Sequence, residues 1–136
     1  MPVTVLREEC RDVKSSPDVV EVRRLVREWA LSLGFSLVDQ TKLVTAASEL
    51  ARNTLQHGGG GKMRLAAVND GNRRGLRMVF EDQGPGIPDI SLALRDGYTT
   101  GGGLGLGLGG AKRLVNEFDV QSEPGRGTRV TVARWR

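Results

Sequence analysis

The feature that most constrains this chain is a dense run of glycines late in its sequence. Seven of the ten residues from 101 to 110 are glycine, and leucines stand among them. Each glycine inside a helix destabilises it by about 0.5–1 kcal/mol relative to alanine. Even if only half of the run is helical, the cost is a few kcal/mol, against roughly 5–15 kcal/mol for the total stability of a small domain. A plain turn does not need so many glycines, so the run predicts backbone that another group approaches closely.

The glycine run leads into a segment with helical spacing. Its apolar residues recur every three or four positions, at Leu104, Leu108, Ala111 and Val115. Free amides at the start of a helix, together with the helix dipole, favour anions such as polyphosphates. Two other glycine-loop patterns fit less well. Residues 105–110 have the Gly-x-Gly-x-x-Gly spacing of a dinucleotide loop, but they follow a loop rather than a strand. The Gly-x-x-x-x-Gly-Lys-Ser/Thr pattern of a P-loop does not occur.

Length and composition narrow the class of protein further. At 136 residues we expect a single domain over residues 1–136. Because no apolar run approaches the roughly 20 residues of a membrane span and the N-terminus has no apolar signal core, we expect no membrane partner and a cytoplasmic location. The net charge is only +4 and six residues are aromatic, so we expect no nucleic-acid partner. With Cys10 and His57 the sole residues of their kinds, a metal site of cysteine and histidine is close to excluded.

The spacing of apolar residues predicts eight elements in the order β-α-α-β-β-α-β-β. Strands are expected at residues 3–9, 62–69, 75–82, 118–122 and 128–135. One helix is predicted to begin with Ser16 as its cap and to end at Gly34. The next begins at Ser36, three residues before Asp39 as in a capping box, and ends at Gly58. This order predicts an α+β fold: a two-layer α/β sandwich of mixed, mainly antiparallel sheet with one helical layer.

The remaining segments are predicted to be loop. Residues 84–103 are expected to lack regular structure apart from one short helical turn near 91–95. The last helix is expected to run from about Leu104 to Val115.

Two polar residues of the second helix are candidates for chemistry. Glu49 and Asn53 are four positions apart, about 40° from each other around the helix axis, and lie off its apolar stripe. A carboxylate can take a proton from an attacking hydroxyl, and an amide oxygen can bind Mg²⁺ without adding charge. The alternative is that both side chains are simply solvated at a helix edge.

Two short glycine-containing segments lie beside predicted strands. Residues 82–87, Asp-Gln-Gly-Pro-Gly-Ile, directly follow a strand, so the acid can bond a ligand while bare backbone passes close beneath it. Residues 125–128, Gly-Arg-Gly-Thr, precede the last strand and make Thr128 a candidate ligand contact. Each segment taken alone is also explained by a turn.

Together, the segments at 49–53, 82–87, 101–110 and 125–128 resemble, in this order, the four sequence boxes of the GHKL ATP-binding superfamily, which includes gyrase, Hsp90, MutL and histidine kinases. The resemblance spans nearly the whole chain. It implies a Bergerat-type fold that binds ATP and Mg²⁺ between helices and sheet.

The resemblance also implies a role for each site residue. Glu49 would be the catalytic base or would position the attacking group, and Asn53 would hold Mg²⁺. Asp82 would accept a hydrogen bond from the adenine amino group, with Thr128 nearby, and a lid would wrap the phosphates. The full set of implied nucleotide contacts is Asn53, Asp82, Gly84, Gly86, Ile87, Thr100, Gly101, Gly102, Gly103, Leu104, Gly105, Leu106, Gly107 and Thr128.

Within the superfamily, the short chain is most similar to the stand-alone protein serine/threonine kinases of bacterial partner switching, in particular the switch kinases of the stressosome. That similarity implies phosphorylation of STAS-domain antagonist or scaffold proteins, followed by activation of a PP2C-type phosphatase. The alternative is an anti-sigma factor kinase that binds a sigma factor directly and phosphorylates its antagonist. A further alternative is a binding module that holds no nucleotide.

Overall fold

The computed structural model describes residues 3–87, 89, 90, 94 and 107–136. Within them the strands are β1 (Thr4–Val13), β2 (Gly61–Asn69), β3 (Arg74–Asp82), β4 (Glu117–Glu123) and β5 (Gly127–Trp135). The helices are α1 (Ser16–Ser32), α2 (Leu37–Gln56) and α3 (Gly107–Arg113). The element order is the one that the spacing of apolar residues predicts.

All five strands form one open sheet in the order β1-β2-β3-β5-β4, and every described pair is antiparallel. The α+β prediction is confirmed. Its mixed component does not occur among the described strands, because the hairpins β2–β3 and β4–β5 impose antiparallel pairing on most of the sheet. Near one end of the sheet, the register places Asp82 opposite Thr128 and Thr128 opposite Ser122. Residues directly opposite each other on antiparallel strands project to the same face, so these three side chains form a row.

The core lies between this sheet and the helices α1 and α2. Val22, Val26 and Trp29 of α1 are at most 1% exposed, as the predicted apolar stripe requires. They belong to one cluster with residues of α2 and with Met78 and Phe80 of β3. The guanidinium of Arg7 lies 4.1 Å from the centre of the Trp29 ring, a cation–π contact that covers the tryptophan from β1.

The ends of the long helices match the predicted signals except at one cap. The Ser36 hydroxyl accepts a hydrogen bond from the Asp39 amide at 3.2 Å, which confirms the cap of α2. The prediction of Ser16 as the cap of α1 is wrong: Ser15 occupies that position, and its side chain makes no capping bond. The carboxylate of Asp18 in the first turn accepts the Lys14 amide at 2.9 Å, which ties the chain that precedes the helix to its first turn.

Strand β1 and helix α3 differ in length from the predictions. β1 continues to Val13 rather than ending at residue 9, because charged residues obscure the alternation of an exposed edge strand. α3 ends at Arg113 rather than Val115, and residues 104–106, where it was expected to begin, lie outside the described residues. The helical turn expected at 91–95 also lies outside them, apart from Leu94. No helix in the described part of the chain is long and apolar enough to cross a bilayer.

Arg134 of β5 ties the chain after α3 to the start of α2. Its guanidinium lies 2.8 Å from the Asp39 carboxylate and donates to the Leu114 carbonyl at 3.0 Å. The Arg134 side chain is 15% exposed, so solvent screens this pair less than it screens a surface pair. The contact fixes the end of α3 relative to α2, the helix that carries Glu49 and Asn53.

The β4–β5 hairpin provides a matched test of backbone packing beside Asp82. Gly125 and Gly127 both have positive φ angles, of 80° and 88°. A Cβ atom at Gly125 would meet nothing within 4 Å, whereas one at Gly127 would overlap the carbonyl oxygen of Asp82. We expect Gly125→Ala to lower the free energy of unfolding by about 1–2 kcal/mol, the cost of the left-handed conformation alone. Gly127→Ala should lose a further 1–3 kcal/mol or so from overpacking.

Urea denaturation of the two variants, without ligand, measures this difference. Equal losses at the two positions would contradict the packing of the hairpin against β3.

Candidate functional site

Asp82, the last residue of β3, is the centre of the candidate site. Its carboxylate accepts the Gly84 amide at 2.9 Å and also bonds to the backbone of Thr128. Burial raises the pKa of the Asp82 carboxyl group, while these two amides and the charge of His57 act in the opposite direction. A half-buried carboxylate at a strand end, held by backbone amides, can accept a further hydrogen bond from a ligand.

Two glycines make room for the Asp82 carboxylate. A Cβ atom at Gly58 would overlap the Asp82 carboxyl group, and one at Gly84 would lie 2.7 Å from the Cα atom of Gly58. The turn after α2 and the turn after β3 therefore touch each other around Asp82 through bare backbone. The sequence predicted a close approach at Gly84. It gave Gly58 no role beyond ending a helix.

The loop after β3 is fastened to the β4–β5 hairpin. The Gly125 amide donates to the Pro85 carbonyl at 2.7 Å, and the Ile87 amide donates to the Ser122 hydroxyl at 2.7 Å. A Cβ atom at Gly86 would overlap the carbonyl oxygen of Glu123. Gly86 is thus required by packing against the hairpin, and the nucleotide contact that the family resemblance implies for it stays a prediction.

Ser122 is a site residue that the sequence reasoning missed. Its hydroxyl lies 2.9 Å from the Thr128 hydroxyl, donates to the Gly127 carbonyl at 3.1 Å and accepts the Ile87 amide. A signal for it did exist. The predicted hairpin turn over residues 123–127 already places residue 122 opposite Thr128, which was a candidate contact.

Glu49 is not the solvated helix-edge residue that the alternative interpretation described. It is only 5% exposed. Its carboxylate oxygen Oε1 lies 3.1 Å from Nη1 of Arg52, one helical turn later, and the Arg52 side chain is 31% exposed. Arg52 was also missed, because an arginine in a helix is usually a surface residue. A carboxylate that lies within reach of a hydroxyl group can act as its proton acceptor.

Asn53 lies one turn after Glu49 at the same end of α2 and is half-buried. Its backbone carbonyl accepts the amides of His57 at 2.9 Å and Gly58 at 3.3 Å, and Gly58 is the residue packed against Asp82. Asn53 is therefore linked, through the five residues that follow it, to the glycine packing around Asp82. The sequence-predicted residues Asn53, Asp82, Gly84 and Thr128 are thus brought to one end of the sheet.

Most of the residues predicted to bind the phosphates lie outside the described part of the chain: Thr100, Gly101, Gly102, Gly103, Leu104, Gly105 and Leu106. Gly107 is described and is the first residue of α3. Ile87 packs its side chain against the core beside the Asp82 loop.

The described site fits a purine nucleotide with a divalent cation. The Asp82 carboxylate and the Thr128 hydroxyl provide acceptors on one face of the sheet, and Gly58 leaves room for that carboxylate. The amide oxygen of Asn53 is a suitable cation ligand. The described residues contain no cluster of three or more histidine, cysteine or acidic side chains, so a cation here would take most of its ligands from phosphates and water, as Mg²⁺ does.

Comparisons with known proteins identify the family of the chain. Residues 38–136 match the family described as histidine kinase-, DNA gyrase B-, and HSP90-like ATPase. The chain is 44% identical over 128 residues to the serine/threonine-protein kinase RsbT of Bacillus subtilis, covering 94% of this chain and 96% of that protein. It is 28% identical over 119 residues to an anti-sigma F factor of Thermoanaerobacter, covering 83% of this chain and 82% of that protein.

A solved structure shows the same fold. The RsbU and RsbW domains of a Mycobacterium tuberculosis protein match 100% of this chain with a TM-score of 0.64 and 24% identity, and the match covers 33% of that longer chain. The family match spans the helix that carries Glu49 and Asn53, the Asp82 loop and the Thr128 strand. This chain therefore belongs to the GHKL family of histidine kinase-, DNA gyrase B- and HSP90-like ATPases.

Proposed function

We propose that this chain is an ATP-dependent protein serine/threonine kinase of a bacterial partner-switching pathway, acting in the cytoplasm. It transfers the γ-phosphoryl group of ATP to a serine or threonine of a STAS-domain protein. The observation that carries the proposal is the buried Glu49, which lies one turn before Asn53 on a helix whose end packs against Asp82. A binding module without catalysis has no need to keep an acid in that position.

In this proposal Glu49 accepts the proton of the attacking hydroxyl. Its Oε1 atom lies 3.1 Å from Nη1 of Arg52, and we assign the proton to Oε2. Asn53 contributes its amide oxygen to Mg²⁺. When bound, ATP and Mg²⁺ supply the transferable phosphoryl group and the cation that offsets its charge. The protein's part is then positioning and charge stabilisation, which matches a site with few side chains and much exposed backbone.

The base of the nucleotide is proposed to lie beside Asp82 and Thr128. Asp82 accepts a hydrogen bond from the adenine amino group, and the Gly84 amide holds the Asp82 carboxylate in place. The phosphates are assigned to residues 100–107, as the family resemblance implies. These roles rest on the acceptors, burial and glycine contacts of the described residues and on family membership.

The partners are proposed from the same similarity. Phosphorylation adds a charge of about −1.5 to −2 to the surface of a STAS-domain partner, which weakens its contact with the kinase. The released kinase then binds and activates a PP2C-type phosphatase. The similarity to an anti-sigma F factor favours a second candidate, in which the chain holds a sigma factor directly.

Phosphoryl transfer tests the proposal directly. We expect the chain, incubated with labelled ATP, Mg²⁺ and a STAS-domain protein from the same organism, to label one serine or threonine of that protein. Glu49→Gln should lower the rate about 10²–10⁴-fold, the usual contribution of a general base, and should leave the dissociation constant of ATP nearly unchanged. Mass spectrometry of the labelled protein and calorimetric titration of ATP measure the two quantities.

Glu21→Gln is the matched control. Glu21 also pairs with an arginine three residues later, but both side chains of that pair are at least half exposed, so its loss should not change the rate. Normal transfer by the Glu49 variant would show that Glu49 is not the base. Capture of a sigma factor, rather than of the STAS-domain protein and phosphatase, would favour the second candidate.

Asp82 gives a prediction in which function and stability move in opposite directions. Burial raises the pKa of its carboxyl group, so the folded state binds that proton more tightly than the unfolded chain does. The free energy of unfolding therefore falls as the pH rises through this pKa, and the loss is absent below the ordinary value of about 3.9. We expect Asp82→Asn to be at least as stable as the wild type at pH 7 without nucleotide, with the advantage fading towards pH 4. Its affinity for ATP should fall about tenfold or more.

Asp70→Asn is the control of opposite sign. Backbone amides of Arg73 and Asn72 lower the pKa of Asp70, so this variant should be less stable at pH 7 and should bind ATP normally. Thermal unfolding at both pH values, together with calorimetry, measures these effects. An Asp82→Asn variant that is destabilised at pH 7 and binds ATP as tightly as the wild type would contradict the assignment.

A further inference from the structure

We propose that Ser122 is a specificity-determining residue that selects adenine over guanine nucleotides. Its hydroxyl orients the hydroxyl of Thr128, so that Thr128 can only accept hydrogen bonds from the nucleobase. The inference rests on the proposed function, in which Asp82 and Thr128 bind the base. It adds a residue that has no role in the sequence-based assignment.

Ser122 has three polar neighbours of different kinds. The Ile87 amide lies 2.7 Å from its hydroxyl oxygen and can only donate. The Gly127 carbonyl lies 3.1 Å away and can only accept. The Thr128 hydroxyl, at 2.9 Å, can do either. All of these groups lie where β4, β5 and the Asp82 loop meet.

Counting protons fixes the direction of the third bond. A hydroxyl group has one hydrogen to donate and two lone pairs that accept. The hydrogen of Ser122 is used by the Gly127 carbonyl, and one lone pair is used by the Ile87 amide. Thr128 must therefore donate its own hydrogen to the remaining lone pair of Ser122. Ser122 is then saturated, and Thr128 has no hydrogen left for a ligand.

The part of the site that would bind the nucleobase therefore presents hydrogen-bond acceptors. Asp82 and Thr128 are directly opposite on β3 and β5 and project to the same face. An ionised carboxylate only accepts, and Thr128 has been reduced to the same role. The amino group of adenine donates hydrogen and satisfies such a site. Guanine has a carbonyl oxygen at the equivalent position, which would face two acceptors and leave buried polar groups unpaired.

The test is the ratio of the dissociation constants of Mg-GTP and Mg-ATP, measured by calorimetry at pH 8. We expect the wild type to prefer ATP strongly. Ser122→Ala frees the Thr128 hydrogen, so the hydroxyl can turn towards a guanine carbonyl, and the ratio should fall about tenfold. Ser122→Thr keeps a hydroxyl at this position and should restore the ratio. Thr131→Ala removes a hydroxyl from the opposite face of β5 and is the matched control, with no expected change.

A second measurement separates specificity from simple loosening of the loop, since Ser122 also anchors Ile87. Loosening should weaken ATP and GTP binding equally and leave the ratio unchanged, which would overturn the proposal. Thr128→Val should lower the ratio by itself, and adding Ser122→Ala to it should lower the ratio no further. A further fall in the double variant would show that Ser122 does not act through Thr128.

The outcomes also distinguish this inference from the function beneath it. A wild type that binds neither nucleotide overturns both. A wild type that prefers ATP, with the ratio unchanged in Ser122→Ala, overturns the inference alone. Should Ser122→Ala fail to fold, Thr128→Val provides the test instead. This variant lacks the Thr128 hydroxyl, so an unchanged ratio would show that the selection does not depend on that acceptor and would overturn the inference.

Discussion

The site depends on one packing constraint: the Asp82 carboxylate occupies space that only glycine backbone leaves open. Gly58 at the end of α2 and Gly84 after β3 contact each other around it, and Gly127 brings β5 against its carbonyl. A methyl group at any of these positions would fill the space or displace the backbone. The spacing between helix α2, the sheet and the β4–β5 hairpin is therefore set by where glycines stand, and the polar groups of the site follow from that spacing.

Two acids at this end of the molecule are removed from solvent to different degrees. Burial opposes the ionisation of Asp82, and Glu49 is almost fully covered with Arg52 as its cationic neighbour. Desolvated acids are expensive unless they are paired. The proposed function gives both acids a role that does not depend on stability. In that proposal Asp82 accepts a hydrogen bond from the nucleotide base and Glu49 accepts a proton near the phosphates.

Much of this arrangement was predictable from the sequence because local signals and the fold agree. The Ser36 cap, the end of α1 before Gly34 and both hairpins follow from short-range rules, and they fix the order of elements. Glu49 and Asn53 were identified from spacing, but their burial was not, because it depends on neighbours brought together by the fold. Gly58 was missed for the same reason, because its partner Asp82 is 24 residues away, beyond the reach of any periodicity. Ser122 was missed although the predicted hairpin placed it opposite Thr128, and only its bond to Ile87, 35 residues away, depends on the fold.

The most direct test of the central claim is a crystal structure of the chain with Mg²⁺ and a non-hydrolysable ATP analogue. The packing described here predicts the adenine amino group within hydrogen-bond distance of the Asp82 carboxylate, and the magnesium ion bound by the amide oxygen of Asn53. A nucleotide seated elsewhere on the chain, or a fold that holds none at millimolar concentration, would contradict it.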